Sequence, residues 1–185
     1  MIDQALWRRL DTPGHDAAQL VRGDEGWLLR GSAVFLHETG PAFLTYGVRL
    51  DRDWRAMRAR VHGFISDRKI DQLVTREEEG WTINGEKIAG LSHLIDLDFG
   101  FTPATNLPQL RRLALRPGER ADAPAAWLDA GASSLQELPQ SYERLDDDRY
   151  RYEAPSFGYD AVLEIAANGF VARYPQLWEM VARAS

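Results

Sequence analysis

Cysteine is absent from the 185-residue chain, and its absence excludes several kinds of chemistry. Without a thiol there is no disulfide framework, no zinc or iron–sulfur site with cysteine ligands, and no cysteine nucleophile. Lysine is scarce as well, because 20 of the 22 basic residues are arginine and only Lys69 and Lys87 are lysine. The arginines either hold carboxylates and phosphates with their planar forks, or they reflect a coding bias toward arginine and alanine.

Positive charge is in deficit, since 28 acidic residues outnumber the basic ones and give a net charge of −6. This balance argues against nucleic acid as a partner, because affinity for a duplex comes mainly from neutralised phosphates. No segment approaches the roughly 18 apolar residues of a membrane span, and the first residues lack the apolar core of a signal peptide. We therefore expect a cytoplasmic protein without a membrane span, folded as one domain over residues 1–185.

The motifs of several large enzyme classes are also missing. The sequence contains no G-x-S-x-G, no H-E-x-x-H, no P-loop and no G-x-G-x-x-G. The histidines are scattered singly along the chain, so they predict no metal site; they are His15, His37, His62 and His93. We predict neither a cofactor nor a bound metal.

The sequence does contain apolar and polar residues that alternate with a period of two, interrupted about every 8 to 12 residues by turn residues. This pattern predicts many short antiparallel strands. The clearest are Gly26–Leu36, Ala42–Leu50 and Arg55–Ile65. Both faces of the first are apolar, which predicts cover on both sides, whereas the third places Met57 and its alternate neighbours on a core face.

Turn residues separate the predicted strands. Asn84-Gly85 and Asn168-Gly169 suit two-residue hairpins, because both residue types tolerate positive φ. Asp146-Asp147-Asp148 predicts a solvated loop tip, since three adjacent carboxylates do not converge on one ion.

Helix signals are few. Gln176–Ala184 has apolar residues at helical spacing and predicts a short C-terminal helix. Ile2–Leu10 is a weaker candidate for one or two helical turns, and the proline-containing Pro103–Pro108 is expected to be a loop. The predicted fold class is therefore all-β: a many-stranded antiparallel sheet that curls or stacks to hide its edges, with a short C-terminal helix.

The most unusual segment holds two aspartates that follow an apolar run. If Leu94–Phe99 is a strand, Asp96 and Asp98 share a face with their Cα atoms roughly 6.5 to 7 Å apart. The carboxylates could bind a hard cation, share a proton, or pair with Arg111 or Arg112. The structural alternative is that they anchor arginines and loop amides inside the fold.

Tyrosines form a second group of candidate site residues. Tyr142, Tyr152 and Tyr174 lie on neighbouring predicted strands. A cleft lined by aromatic rings, with arginine and aspartate nearby, suits a sugar ring joined to an apolar tail. Alternatively, these tyrosines are ordinary sheet residues that pair across strands.

Several motifs stand out together. They are Ile95-Asp96-Leu97-Asp98, Thr102-Pro103-Ala104-Thr105-Asn106-Leu107-Pro108 with Leu110-Arg111-Arg112-Leu113, Gln140-Ser141-Tyr142, Tyr150-Arg151-Tyr152, and Gly169-Phe170-Val171 with Tyr174-Pro175. Over nearly the whole chain these motifs resemble the glycolipid-binding family, formerly a domain of unknown function. The resemblance implies a spiral β-roll, similar in outline to the bacterial lipoprotein localisation factors, and it brings no catalytic residues.

The function predicted from these observations is binding of a glycolipid or another amphipathic, acyl-bearing ligand in a partly apolar cavity. Seven residues are expected either to contact the head group of the ligand or to fix the protein loop beside it: Asp96, Asp98, Thr102, Thr105, Asn106, Arg111 and Arg112. Three tyrosines are expected to form the cavity wall: Tyr142, Tyr152 and Tyr174. One alternative is an enzyme of sugar or lipid metabolism that uses Asp96 and Asp98 as acid and base. Another is an interaction module that recruits a partner by adding a strand to a sheet edge.

Overall fold

The computed structural model describes residues 2–184, which form seventeen β-strands, one α-helix and one 3₁₀ turn. The strands are β1 (Ile2–Arg9), β2 (Gly14–Arg22), β3 (Trp27–His37), β4 (Gly40–Leu50), β5 (Ala56–Ile65), β6 (Arg68–Glu77), β7 (Gly80–Ile83), β8 (Glu86–Ile88), β9 (Asp96–Phe99), β10 (Arg120–Asp122), β11 (Ala125–Leu128), β12 (Gln136–Leu138), β13 (Ser141–Arg144), β14 (Arg149–Ala154), β15 (Tyr159–Ile165), β16 (Val171–Tyr174) and β17 (Trp178–Ala184). The helix α1 spans Asn106–Leu113, and the 3₁₀ turn spans Pro155–Phe157. The predicted all-β fold class is confirmed.

Fourteen strands form one antiparallel sheet in the order β10-β13-β14-β15-β16-β17-β1-β2-β3-β4-β5-β6-β7-β8. The first and last strands of the chain, β1 and β17, pair with each other in the middle of this sheet. A second sheet has the order β12-β11-β9, and its β9 and β11 run parallel. The two sheets and α1 share one buried apolar core.

The large sheet curves around the segment that contains β9 and α1. Tyr142 on β13 contacts Asn106, and Tyr46 on β4 contacts Thr102, only four residues away along the chain. Strands β13 and β4 are eight positions apart in the sheet, a distance of roughly 38 Å if the sheet were flat. Curvature is therefore required to bring both strands to the same short segment.

Both helices expected at the chain ends are wrong, because these segments are strands. Gln176–Ala184 contains β17, and Ile2–Leu10 contains β1, where Ala5 and Trp7 are buried on one face. The two strands pair with each other, and this long-range pairing outweighs the local helical spacing of the C-terminal apolar residues.

The helix that does form lies in a segment expected to be partly loop. In α1, Pro108 occupies the first turn, where a backbone N–H has no intrahelical acceptor and its loss costs nothing. The longest helix within residues 2–184 has eight residues, so none of the described helices could cross a membrane.

Two expectations about strand faces are also wrong. The outer face of β3 is not covered, since Val34 and Leu36 are 54% and 49% exposed. Met57 is 43% exposed because a β-bulge interrupts the pairing of β4 with β5. Ala56 takes the inward position that strict alternation assigned to Met57.

The positions of the predicted turns are confirmed, but one hairpin differs from the prediction. Asn84-Gly85 connects β7 to β8 as a two-residue turn with φ of 51° and 84°. Asn168-Gly169 lies between β15 and β16, where the Ala166 N–H donates to the carbonyl of Phe170 and encloses three residues, 167–169. The two-residue hairpin predicted there is wrong, because only Gly169 of the pair has a positive φ and a type I′ turn needs one at both residues. The three aspartates 146–148 form the bend between β13 and β14.

Candidate functional site

The two aspartates of β9 lie on a buried strand and point toward α1. Asp96 is 2% exposed and Asp98 is 6% exposed. Strand β9 is held by parallel pairing with β11, which places Asp96 opposite Ala125 and Asp98 opposite Trp127. The two carboxylates nevertheless have different partners and different surroundings.

Asp96 forms an ion pair with Arg112 in the last turn of α1. The guanidinium donates from Nε to Oδ1 at 2.9 Å and from Nη2 to Oδ2 at 2.6 Å. Burial raises the pKa of Asp96 above its ordinary value, although the hydrogen bonds from Arg112 oppose this shift. Because both of its oxygens are engaged by Arg112, the structure supports the anchoring interpretation for Asp96.

Asp98 accepts hydrogen bonds from neutral side chains. The Thr105 hydroxyl donates to Oδ1 at 2.7 Å, and Gln109 Nε2 donates to Oδ2 at 3.3 Å. Burial raises the pKa of Asp98 from 3.8 to about 6, because these uncharged partners only partly offset the loss of solvent. Asp98 is therefore the carboxyl group of β9 that can change protonation near neutral pH.

A chain of amides connects Asp98 to a tyrosine. The Tyr152 hydroxyl donates to Gln140 Oε1 at 2.6 Å, and Gln140 Nε2 donates to Gln109 Oε1. Gln109 Nε2 then donates to Asp98. Each amide donates once and accepts once in this chain. These hydrogen bonds fix the orientation of both glutamines and the position of Asp98 relative to Tyr152.

Asp98 and Tyr152 both line a pocket of about 410 Å³, which we name the aromatic pocket. Its aromatic members come from both sheets and from the 3₁₀ turn, and they are Phe99, Trp127, Tyr152, Phe157, Tyr159, Tyr174 and Trp178. Its polar side chains are Asp98, Thr102, Asn106 and Asp129, and the lining is completed by Gly100, Leu138, Ala154 and Leu177. Three other depressions, of about 670 to 730 Å³, are larger but contain a single aromatic residue each, so the concentration of rings distinguishes this pocket.

The tyrosine rings of this pocket pack against one another. Tyr152 and Tyr174 meet edge to face with ring centroids 5.6 Å apart, and Tyr159 lies 5.4 Å from Tyr174. Tyr159 also donates its hydroxyl to the carbonyl of Pro175 at 2.7 Å. These contacts hold the wall in place, as a preformed binding site requires.

Half of the ten predicted site residues line the aromatic pocket, and they are Asp98, Thr102, Asn106, Tyr152 and Tyr174. The other five lie elsewhere: Asp96 and Arg112 pair with each other, Thr105 binds Asp98, and Arg111 donates to the carbonyl of Asn168 at 3.2 Å. Tyr142 is fully buried, where its hydroxyl accepts a hydrogen bond from Asn106 Nδ2 at 2.7 Å.

Several pocket residues were not predicted from the sequence. Trp127 and Asp129 belong to the small sheet and the loop that follows it, and nothing in their local pattern points to a cleft. Phe157 is 58% exposed in the 3₁₀ turn. Its position in the sequence, as a large apolar residue between Pro155 and Gly158, was the one signal that could have identified it as a pocket residue.

A further buried aspartate, Asp16, lies behind Thr102 of the pocket wall. Asp16 on β2 is completely buried and accepts hydrogen bonds from the hydroxyls of Tyr46 (2.9 Å) and Thr102. Burial raises the pKa of Asp16 from 3.8 to about 7, and the two hydroxyls only partly oppose that effect. We name Asp16, Tyr46 and Thr102 the buried acid cluster. Within residues 2–184, no group of three or more histidine, aspartate or glutamate side chains is arranged to hold a metal ion.

Comparison with known proteins gives two matches. A family model described as "Putative glycolipid-binding" matches residues 4–180. The crystal structure of a DUF1089 family protein from Pseudomonas aeruginosa superimposes with a TM-score of 0.77 and is 28% identical in sequence, covering 89% of this chain and 91% of that one. The search of curated proteins returned no match.

Proposed function

The chain belongs to the family described as "Putative glycolipid-binding", and from that premise we propose that its aromatic pocket binds the sugar portion of a glycolipid or a similar amphipathic molecule. The observation that supports this proposal most is the composition of the pocket, which is lined by seven aromatic and four polar side chains. Aromatic rings pack against the C–H faces of a sugar, and carboxylate, amide and hydroxyl groups bind its hydroxyls.

The polar groups are placed to give such a ligand an orientation. Asp98 is held by Thr105 and Gln109, and Asn106 is held by Tyr142, so neither needs to reorganise when a ligand enters. The volume of about 410 Å³ is in the range of small-ligand pockets and fits one or a few rings better than a whole glycolipid. The acyl chains would then extend out of the pocket.

An enzyme acting on the same ligand is the second candidate. The observation in its favour is Asp98, whose pKa near 6 suits proton transfer at neutral pH and which lies in a pocket. Asp96 does not line the pocket, so the pair Asp96 and Asp98 does not fit this role. The second carboxylate would have to be Asp129.

The interaction-module alternative has little support. The strands at the ends of the large sheet, β10 and β8, have three residues each, and those at the ends of the small sheet have three and four. Such short edges offer few free backbone groups to an added strand.

Calorimetric titration with octyl glucoside below its micelle concentration tests the binding proposal. We expect saturable binding, weakened by about 3- to 10-fold in Phe157→Ala, because one exposed wall ring is lost. Phe64→Ala is the matched control, since Phe64 is 45% exposed and does not line the pocket. No saturable binding, or equal weakening in both variants, would refute the proposal.

A hydrolysis assay with nitrophenyl glycosides and esters distinguishes an enzyme from a binding protein. If Asp98 acts as an acid or base, the wild type should release nitrophenol from these substrates and Asp98→Asn should not. If the protein only binds its ligand, neither protein should release nitrophenol, although the wild type binds octyl glucoside in the calorimetric titration.

A further inference from the structure

A second pocket of about 410 Å³ lies at the opposite ends of α1 and β9 from the aromatic pocket. It is formed by the loop between β4 and β5, the residue before β9, and the last turn of α1; its members are Arg52, Asp53, Trp54, Arg55, Ile95, Arg111 and Arg112. We name it the arginine pocket. Four of its seven residues are arginines that come from two distant segments of the chain.

The charges in this pocket are not balanced. Nine arginines in residues 2–184 lie within 4.0 Å of a carboxylate, and of the four in this pocket only Arg112 is among them. Arg112 is neutralised by Asp96, and Asp53 is the one acidic residue in the lining. The lining residues together with Asp96 comprise four arginines and two aspartates, an excess of about two positive charges in a protein whose net charge is −6.

The loop that presents Arg52 and Arg55 is ordered. Asp51 Oδ1 accepts the backbone N–H groups of Asp53 and Arg55, each at 2.9 Å. Between them Trp54 adopts a φ of 67°, which is costly for a large side chain, and its ring stacks on Trp27 at 4.4 Å. These contacts stabilise a backbone conformation that the chain would otherwise avoid.

Two of the unpaired guanidiniums are also fixed, each by one backbone carbonyl. Arg52 Nη2 donates to the carbonyl of Asp24 at 2.9 Å, and Arg111 Nη2 donates to that of Asn168 at 3.2 Å. A guanidinium has five N–H donors, so each keeps several for a ligand. Arg55 makes no side-chain hydrogen bond among the described residues.

Arginines at the C-terminus of a helix also compensate the negative end of its dipole. That role accounts for Arg111 and Arg112, which lie in the last turn of α1. It does not account for Arg52 and Arg55, because these come from a loop more than fifty residues earlier. A ligand bound by all four arginines would explain why two distant segments bring them together.

We propose that the arginine pocket binds a tetrahedral oxyanion, either free phosphate or the phosphate of a larger molecule such as a lipid head group. Phosphate oxygens accept several N–H donors from arginine forks at once, and this geometry distinguishes arginine from lysine as a phosphate ligand. The proposal does not rest on sugar binding in the aromatic pocket, and the two are tested independently.

The test is an NMR titration of the arginine Nε–Hε resonances with inorganic phosphate and, separately, with glycerol 3-phosphate, at low ionic strength. We expect saturable shifts at Arg55 and Arg111 with a dissociation constant of about 1 mM or below, weakening as salt is added. Arg55→Ala should reduce the affinity by at least about tenfold. Arg58→Ala removes the same charge from an exposed position outside the pocket and should change the affinity less than about twofold.

The two probes separate the possible sources of the anion. Tighter binding of glycerol 3-phosphate supports a phosphorylated head group, whereas tighter binding of inorganic phosphate supports the free ion. Melting temperatures and amide spectra establish that each variant is folded. Chemical-shift changes that rise linearly with the concentration of both probes, without saturation, would overturn the proposal. Equal losses of affinity in Arg55→Ala and Arg58→Ala would overturn it as well.

Discussion

Replacing Asp16 by asparagine removes the titrating group of the buried acid cluster while keeping its shape. The pKa of this carboxyl is about 7 in the folded protein against 3.8 for an ordinary aspartate. The folded state therefore binds the proton more tightly than the unfolded state does. It follows that the stabilising effect of the neutral acid is complete below pH 4 and is lost as the pH rises through 7.

The size of this effect follows from the shift. A difference of about three pKa units corresponds to about 4 kcal/mol, at about 1.4 kcal/mol per unit. The substituted amide would stay neutral at every pH, and its carbonyl oxygen could still accept hydrogen bonds from Tyr46 and Thr102. Relative to the wild type, Asp16→Asn should therefore gain about 4 kcal/mol of stability between pH 4 and pH 8.

Urea unfolding followed by tryptophan fluorescence at several pH values measures this gain. Asp98, whose pKa is also raised by burial, contributes to the pH dependence of both proteins and cancels in the difference. Asp129→Asn, at an exposed position, is the control and should follow the wild type. A constant free-energy gap between wild type and Asp16→Asn from pH 4 to pH 8 would refute the reasoning.

Two further predictions concern stability. Arg112→Ala leaves the buried Asp96 without its partner and should cost about 3 to 5 kcal/mol at pH 8, whereas breaking an exposed pair with Arg60→Ala should cost less than about 1 kcal/mol. Gly63→Ala should cost at least about 2 kcal/mol, because φ is 145° and the new Cβ would lie 2.0 Å from a backbone oxygen of β4. Gly85→Ala, at positive φ with open space around it, should cost about 1 kcal/mol.

Denaturant unfolding of the four variants at one pH measures both differences. Equal losses of unfolding free energy in Arg112→Ala and Arg60→Ala would show that burying Asp96 without its arginine partner carries no extra penalty. Equal costs for the two glycine substitutions would show that the contact with β4 adds nothing to the backbone strain.

Local sequence patterns predicted the strands well where one face is buried and the other solvated. In β4, Leu44, Tyr46 and Val48 form the buried face, and they alternate with the less buried Thr45, Gly47 and Arg49. It failed at Met57, because a β-bulge adds one residue and reverses the alternation. A bulge depends on how the partner strand is registered, which the pattern of one strand does not contain.

The ends of the chain show the same limit. The apolar residues of β17 occur at a spacing that fits a helix as well as a strand, and only the pairing with β1 decides between them. That pairing joins residues about 170 to 180 positions apart. No local window of sequence includes both partners.

Only part of the candidate site was predicted, because the sequence pattern reveals local segments and not contacts between distant ones. The segment around Asp98, Thr102 and Asn106 supplies one wall of the aromatic pocket and is continuous in the sequence, so its polar residues could be identified from their unusual composition. Trp127 and Phe157 are brought to that wall by the parallel pairing of β9 with β11 and by the turn after β14. Their roles depend on contacts between distant segments.

By itself, the sequence determined that this protein lacks thiol chemistry, that its residues alternate as strands do, and that an acidic pair follows an apolar run. These are local properties, set by side-chain chemistry and a spacing of two residues. The tertiary structure alone decided that Asp96 meets Arg112 while Asp98 faces a pocket, and that four arginines gather at the other end of α1. Burial and charge balance are properties of the folded surroundings, and curvature of the large sheet creates those surroundings.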